Sequence, residues 1–182
     1  MHQIHADQEA FFLPYGSPEH VSEVVETFGD LDMEYAALRK GCVIFDLPHV
    51  GTVRVTGDDR GDFLNNMLTD KVDDLEPGMS KRAFWLNRKG RIDADIQIAQ
   101  RAECMYFSLD RHLCKATAES LSSFIFAEDA EIVDASDTYH RISLHGPTAP
   151  KLLELAAEFT EPSIGSLNEY QNIEIEIDGA KV

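Results

Sequence analysis

Two aspartates stand two residues apart in the run Arg91-Ile92-Asp93-Ala94-Asp95-Ile96-Gln97-Ile98. The alternation predicts a strand with Ile92, Ala94, Ile96 and Ile98 on one face and Arg91, Asp93, Asp95 and Gln97 on the other. Carboxylates at that spacing lie roughly 6.5–7 Å apart. Each can accept a hydrogen bond from a ligand amine or exchange a proton with it. The simpler alternative is a half-wetted strand whose carboxylates face solvent. A second candidate is Asp46 with His49, in Phe45-Asp46-Leu47-Pro48-His49-Val50-Gly51, where the carboxylate would hold the imidazole. An Asp turn beside a surface histidine explains the same residues. In His145-Gly146-Pro147 a strand meets a helix N-terminus, and free N–H groups there could hold an anion, although a plain connecting turn suffices. Asp110 is accounted for as a helix cap. Ser108, Asp110 and His112 bracket a helix start and do not converge as a nucleophile set.

These residues need elements to position them. Asp30 or Asp32 can cap a helix through Glu34–Lys40, with Gly41 as its stop. Val43-Ile44-Phe45 reads as a short buried segment. Gly51 to Gly57 alternates as a half-buried strand, with Val53 and Val55 inward. Asp58 is expected to cap the next helix, whose apolar pairs are Phe63/Met67 and Leu64/Leu68. After the Pro77-Gly78 turn, Ala83–Leu86, Asn87–Gly90 and Arg91–Ala99 form strand, tight turn and strand, with Gly90 supplying the positive φ. A third strand covers Met105–Leu109, and a helix follows over roughly 111–126. Short strands are expected at Glu131–Val133 and Tyr139–Leu144. Pro147 suits the first position of a helix carrying Leu152, Leu153, Leu155, Ala156 and Phe159. The strictly alternating Ile173–Ile177 precedes an Asp178-Gly179 turn, with Val182 opening the return strand. Antiparallel hairpins alternating with helices argue for an α+β fold. No phosphate-binding glycine motif and no internal repeat is visible in the sequence. Residues 1–30 read as a variable leader in which Pro14, Gly16 and Pro18 break periodicity.

Thirty-three acidic side chains against 16 basic ones give a net charge of −17. That field repels phosphate backbones and anionic lipid, which argues against generic nucleic-acid binding. The one basic candidate is Lys81-Arg82 with Arg88, Lys89 and Arg91, more simply a solvated hairpin. The three cysteines, Cys42, Cys104 and Cys114, are odd in number and lack a Cys-x-x-Cys pair. Neither a disulfide framework nor a metal site is expected, and each cysteine reads as a small buried hydrophobe. No apolar run approaches the roughly 18 residues of a membrane span. The start, Met1-His2-Gln3-Ile4-His5, is not a secretory signal. The expectation is one compact domain in a soluble, cytoplasmic protein without membrane contact.

Four segments share an order and spacing over residues 34–150. The first is Glu34–Gly51, with Leu38-Arg39 before Gly41, then Phe45-Asp46 and His49-Val50-Gly51. The second is Thr69–Gly78, ending in Pro77-Gly78. The third is Asn87-Arg88-Lys89-Gly90-Arg91-Ile92-Asp93-Ala94-Asp95-Ile96. The fourth is Ser143–Ala149, with Gly146-Pro147 and Ala149. Together they resemble the N-terminal part of the glycine cleavage T-proteins, the aminomethyltransferases. Those proteins carry Phe-Asp-Val-Ser-His-Met-Gly, an Asn-Asp loop ending in Pro-Gly, Asn-x-x-Gly-Gly-Ile-Ile-Asp-Asp-Leu and Gly-Pro-x-Ala. Gly90-Arg91-Ile92-x-Ala94-Asp95 also resembles the related YgfZ-type folate-binding proteins.

The resemblance implies an α+β folate-binding domain with an antiparallel or mixed sheet and packed helices, present here in part. Residues 31–182 would be its N-terminal portion. It implies tetrahydrofolate as cofactor. It also implies one-carbon transfer, with an aminomethyl or methyl group passing from a carrier protein or small amine to tetrahydrofolate. Asp95 falls on the essential carboxylate of the folate pocket, where it would orient and protonate. Val50 stands where the family has a Met that packs on the pterin, and Asp110 where it has a folate-contacting Asn. Asp93 is not the family's paired aspartate, which aligns with Ala94. The YgfZ-type alternative implies a folate-binding accessory protein for iron–sulfur enzyme maintenance or tRNA modification, without transfer.

Overall fold

The computed structural model describes residues 2–17, 20–157 and 163–182. In chain order the elements are α1 (His2–Asp7), β1 (Phe11–Ser17), β2 (His20–Thr27), α2 (Leu31–Lys40), β3 (Val43–Asp46), β4 (Val50–Thr56), α3 (Arg60–Met67), β5 (Ser80–Leu86), β6 (Ile92–Gln100), β7 (Cys104–Asp110), α4 (Arg111–Ser122), β8 (Glu131–Asp134), β9 (Ile142–His145), α5 (Ala149–Ala156), β10 (Glu176–Ile177) and β11 (Ala180–Lys181). This is the expected α+β arrangement of antiparallel sheets and helices. The chain divides into two compact units. Residues 50–140 with 170–172 form one, and 1–49, 141–169 and 173–182 form the other.

The first unit is built on a five-stranded sheet of order β5-β6-β7-β4-β8. One face is the core. Val53 and Val55 of β4, Ala94, Ile96 and Ile98 of β6, and Met105, Phe107 and Leu109 of β7 are buried together with Phe63 and Leu64 of α3 and Cys114, Ala118 and Leu121 of α4. Each fully buried large side chain contributes about 1.5–3 kcal/mol, so this layer dominates the unit's stability. Helix α4 lies close on β4. A Cβ on Gly51 would stand 2.5 Å from both Cys114 Sγ and Ser136 Oγ, so only glycine permits the approach. The helix expected to follow Asp58 is instead preceded by Asp59, whose side chain makes no cap bond. Asp59 accepts from Asp129 N at 2.7 Å, a partner seventy residues away.

The β5–β6 hairpin closes as its turn residues dictate. Gly90 has φ +72°, and Asn87 Oδ1 accepts from Lys89 N at 3.0 Å and Arg91 N at 3.1 Å. One detail departs from simple alternation. Leu86 faces Ile92 and Trp85 faces Ala94, so Asp93 is an extra residue in β6, a β-bulge. The bulge turns Ile92 away from the core face it was expected to share. It is 58% exposed, whereas Ala94, Ile96 and Ile98 are buried.

In the second unit, the segment expected to be a variable leader forms α1 and a β1–β2 hairpin. The ladder overrides the local breakers, because a proline's missing N–H costs little on a two-stranded ribbon. Pro14 sits within β1, while Pro18 lies outside the described residues. Asp30 caps α2, accepting from Met33 N at 3.0 Å. Strand β3 pairs with β9. Its Ile44 and Phe45, expected to be buried, are both about half exposed: they point to opposite faces of a two-stranded ribbon, and neither face is fully covered. Helix α5 starts after Thr148 with Pro150 in its first turn, two residues later than Pro147 suggests. Phe159, expected on this helix, lies outside the described residues. The Ile173–Ile177 strand contracts to β10, and Ile175 and Val182 exchange backbone bonds of 2.9 and 2.8 Å across the Asp178-Gly179 turn.

Candidate functional site

The second face of the five-stranded sheet is polar. Register places Arg82 opposite Gln97, Gln97 opposite Ser108 and Ser108 opposite Thr52. Phe84 lies opposite Asp95, and Asp110 opposite Val50. Since residues two apart on a strand share a face, Val50, Asp95 and Asp110 all lie on this face, toward one end of the sheet. The ladder between β6 and β7 ends at Gln97–Ser108, two residues short of Asp95 and of Asp110. The strands are no longer hydrogen-bonded where these two carboxylates stand.

Asp95 has a side-chain exposure of 47% and a committed partner. Arg82 Nε donates to its Oδ1 at 2.8 Å, and Nη2 donates to Oδ2. The Arg82 guanidinium carbon lies 5.4 Å from the centre of the Phe84 ring. This fork holds the Asp95 carboxyl below the usual carboxylate range, chiefly through the Arg82 hydrogen bonds and against a smaller opposing effect of burial. Asp93 has a different partner, accepting from Asn87 Nδ2 at 2.8 Å, so the two aspartates do not act as a pair. Asp110 occupies the N-cap position of α4, but its side chain makes no cap bond. Farther along the same face, the Tyr106 and Tyr139 hydroxyls are 3.0 Å apart, and burial first, then that bond, push the Tyr106 phenol up.

The remaining candidates resolve differently. Asp46 does not hold His49. Its Oδ2 lies 2.9 Å from Nε2 of His5, a residue of the supposed leader. His49 packs against Tyr15 with ring centroids 4.3 Å apart. His145 Nε2 is 2.6 Å from Ser143 Oγ, and its ring stands edge-on to Phe45 at 5.1 Å. Gly146, at φ +117°, passes so close to Gly41 that a Cβ would lie 2.3 Å from the Gly41 carbonyl oxygen. The His-Gly-Pro run is therefore a tight structural turn. Two members of the basic patch have acidic partners: Lys81 Nζ donates to Lys71 O at 2.7 Å and lies 3.8 Å from Asp70, and Arg82 is taken by Asp95. All three cysteines are free thiols, and only Cys114 is fully buried, its thiol pushed up by that burial.

The residue that sequence reasoning overlooked is Arg82, which it grouped with the solvated basic cluster. Its pairing follows from the β5–β6 register, and the bulge at Asp93 sets that register. Counting outward from the turn without the bulge puts Arg82 and Asp95 on opposite faces.

The fold is that of the aminomethyltransferase class. It superposes on the glycine cleavage system aminomethyltransferase T from Bartonella henselae with a TM-score of 0.79 at 19% identity, covering 96% of this chain and 46% of that one. Residues 1–182 match the family model described as the GCVT N-terminal domain, and the chain belongs to that family. Its relatives include aminomethyltransferases from Bacillus subtilis, 26% identical over 166 residues covering 87% of this chain and 43% of the relative. Another is from Streptomyces coelicolor, 25% identical over 147 residues covering 80% and 39%. A third is from Clostridium botulinum, 29% identical over 127 residues covering 66% and 33%. The chain spans less than half the length of these relatives. Among the described residues no helix is long and apolar enough to cross a membrane.

Proposed function

We propose that the polar face of the five-stranded sheet contributes to a tetrahydrofolate site, and that the protein takes part in one-carbon transfer of the aminomethyltransferase type. The observation that carries the reading is that Val50, Asp95 and Asp110, far apart in sequence, share one end of one face in a chain of this family. The residues suit a reduced pterin, which is flat, largely apolar on its faces and rich in N–H donors. Asp95 offers an ionised acceptor, Phe84 opposite it an aromatic surface, and Val50 an apolar contact.

Tetrahydrofolate supplies the amine that receives the one-carbon unit. Asp95 accepts hydrogen bonds from ligand nitrogen and stabilises positive charge developing there. Val50 and Phe84 pack on the ring and exclude water. The donor is a carrier protein or a small amine.

Calorimetry with tetrahydrofolate under anaerobic conditions, on this chain and its Asp95→Asn variant, tests the proposal. Loss of a charged acceptor is expected to weaken binding roughly tenfold or more, with circular dichroism and melting unchanged because the side chain is outside the core. Equal affinities for the two proteins would remove Asp95 from the site.

A further inference from the structure

We infer that Arg82 is a positioning residue for Asp95: it fixes the carboxylate as an oriented anion, so that Asp95 meets ligand nitrogen as a charge and not as a proton donor. The ligand in this inference rests on the folate reading above. The pairing itself rests on strand geometry alone.

Arg82 lies diagonal to Asp95 across the β5–β6 ladder, two rungs beyond the Phe84–Asp95 pair. A diagonal neighbour is within reach only of a long side chain, and arginine has the length. Both Asp95 oxygens are engaged, by Nε and by Nη2. A two-point fork of this kind fixes the orientation of the carboxylate as well as its charge. The guanidinium is itself placed by the Phe84 ring beneath it. Arg82 therefore touches the Asp95 carboxylate and an aromatic surface at once, from a strand other than the one that carries Asp95.

The surroundings leave the fork as the main influence on how the Asp95 carboxylate is oriented and where it titrates. On β6, Asp93 is bonded to Asn87 and Gln97 is neutral. On β5 the neighbour is Phe84, and across β7 stand Ser108 and Asp110. Tyr170 is the other group that acts on Arg82. A general acid works best when its pKa lies near the working pH. Asp95 is displaced in the opposite direction, below the ordinary carboxylate range. At neutral pH it has no proton to give, whereas as an oriented anion it stabilises positive charge on a ligand amine. In this inference Asp95 acts electrostatically, where the family resemblance implies that it orients and protonates.

The test compares the wild-type chain with Arg82→Gln, which removes the charge, and Arg82→Lys, which keeps it but breaks the fork. Carbon-detected NMR of the Asp95 carboxyl gives its titration midpoint, and anaerobic calorimetry gives tetrahydrofolate affinity against pH. The midpoint is expected to rise in Arg82→Gln and to rise less in Arg82→Lys. Affinity at pH 7 should fall roughly two- to fivefold in Arg82→Gln, the range of an exposed ion pair. The acid limb of the binding profile should move upward together with the midpoint. An Asp95 midpoint unmoved by Arg82→Gln overturns the positioning role. A midpoint that moves while the binding profile stays fixed overturns the claim that the Asp95 anion meets the ligand. Absence of tetrahydrofolate binding by the wild-type chain overturns the folate reading, and the carboxyl titration then decides the Arg82 pairing by itself.

Discussion

Gly51 joins the core to the candidate site, and replacing it by alanine tests how tightly the two are coupled. The added Cβ would stand 2.5 Å from Cys114 Sγ, 2.5 Å from Ser136 Oγ and 3.0 Å from Arg111 Cα. Carbon contacts are comfortable at about 3.5–4.0 Å, so roughly 1 Å of overlap must be relieved. Neither obstructing side chain can swing aside. Cys114 is fully buried. Ser136 Oγ donates to Asp134 Oδ1 at 2.6 Å and accepts from Thr52 N at 3.1 Å. The relief must come from α4 lifting or β4 bowing, at a cost of about 1–3 kcal/mol, typical of overpacking. Trp85 provides the assay. It is the protein's single tryptophan, it is 9% exposed, and it packs edge-on to Phe124 at 5.9 Å, so its fluorescence reports on this unit. With a urea slope of about 2 kcal/mol per M, the unfolding midpoint should fall by about 0.5–1.5 M. Removing Sγ in the double variant Gly51→Ala/Cys114→Ala should recover part of the loss, making the pair less than additive. An unchanged midpoint for Gly51→Ala, or strict additivity in the double variant, would refute the close-packing argument.

Two other outcomes are expected. His5→Ala removes the 2.9 Å contact that ties α1 to Asp46. It should cost about 1–2 kcal/mol locally, read as faster hydrogen exchange at Gln8 and Ala10, whose amides bond the His5 carbonyl; unchanged exchange at those amides would show that the contact does not hold the helix. Glu154 Oε1 accepts from Ser163 Oγ at 2.6 Å and Ile164 N at 2.8 Å, bonds that hold its carboxyl below the ordinary glutamate value. A depressed folded pKa means the stabilisation is complete above the ordinary value and is lost as pH falls through the depressed one. The Ile164 amide shift, followed from about pH 6 to about pH 2, should therefore move at lower pH than a free glutamate, and a transition at the ordinary value would contradict the bonding.

Much of the fold could be read from local chemistry. Asn87-Arg88-Lys89-Gly90 specifies a hairpin because a glycine tolerates positive φ and the Asn87 side chain can bond the turn's own amides. Val53 and Val55 declare a half-buried strand by their period of two. Asp30 announces a helix start because its carboxylate can reach the Met33 amide. The features that escaped are those whose partners are remote. Ile44 and Phe45 look like core residues, yet their burial depends on what is stacked against β3. Asp46 has a histidine three residues away and bonds to another forty-one residues away. Residues 1–30 look irregular because the pairing that orders β1 is supplied by β2.

The amino-acid sequence by itself determined the α+β character, the β5–β6 hairpin, the family and the choice of Asp95 as the carboxylate to watch. Each of these depends on residue type and spacing along the chain. Only the tertiary structure decided that Asp95 stands in the fork of Arg82, that Val50 and Asp110 share its face, and that Asp93 does not work beside it. Val50 and Asp110 share that face through the β4–β7 and β6–β7 registers, and for the Arg82 fork the physical reason is the single extra residue at Asp93. A bulge changes strand register by one, and a change of one exchanges the two faces of a strand, so which side chains meet is fixed by the paired ladder and not by either strand alone.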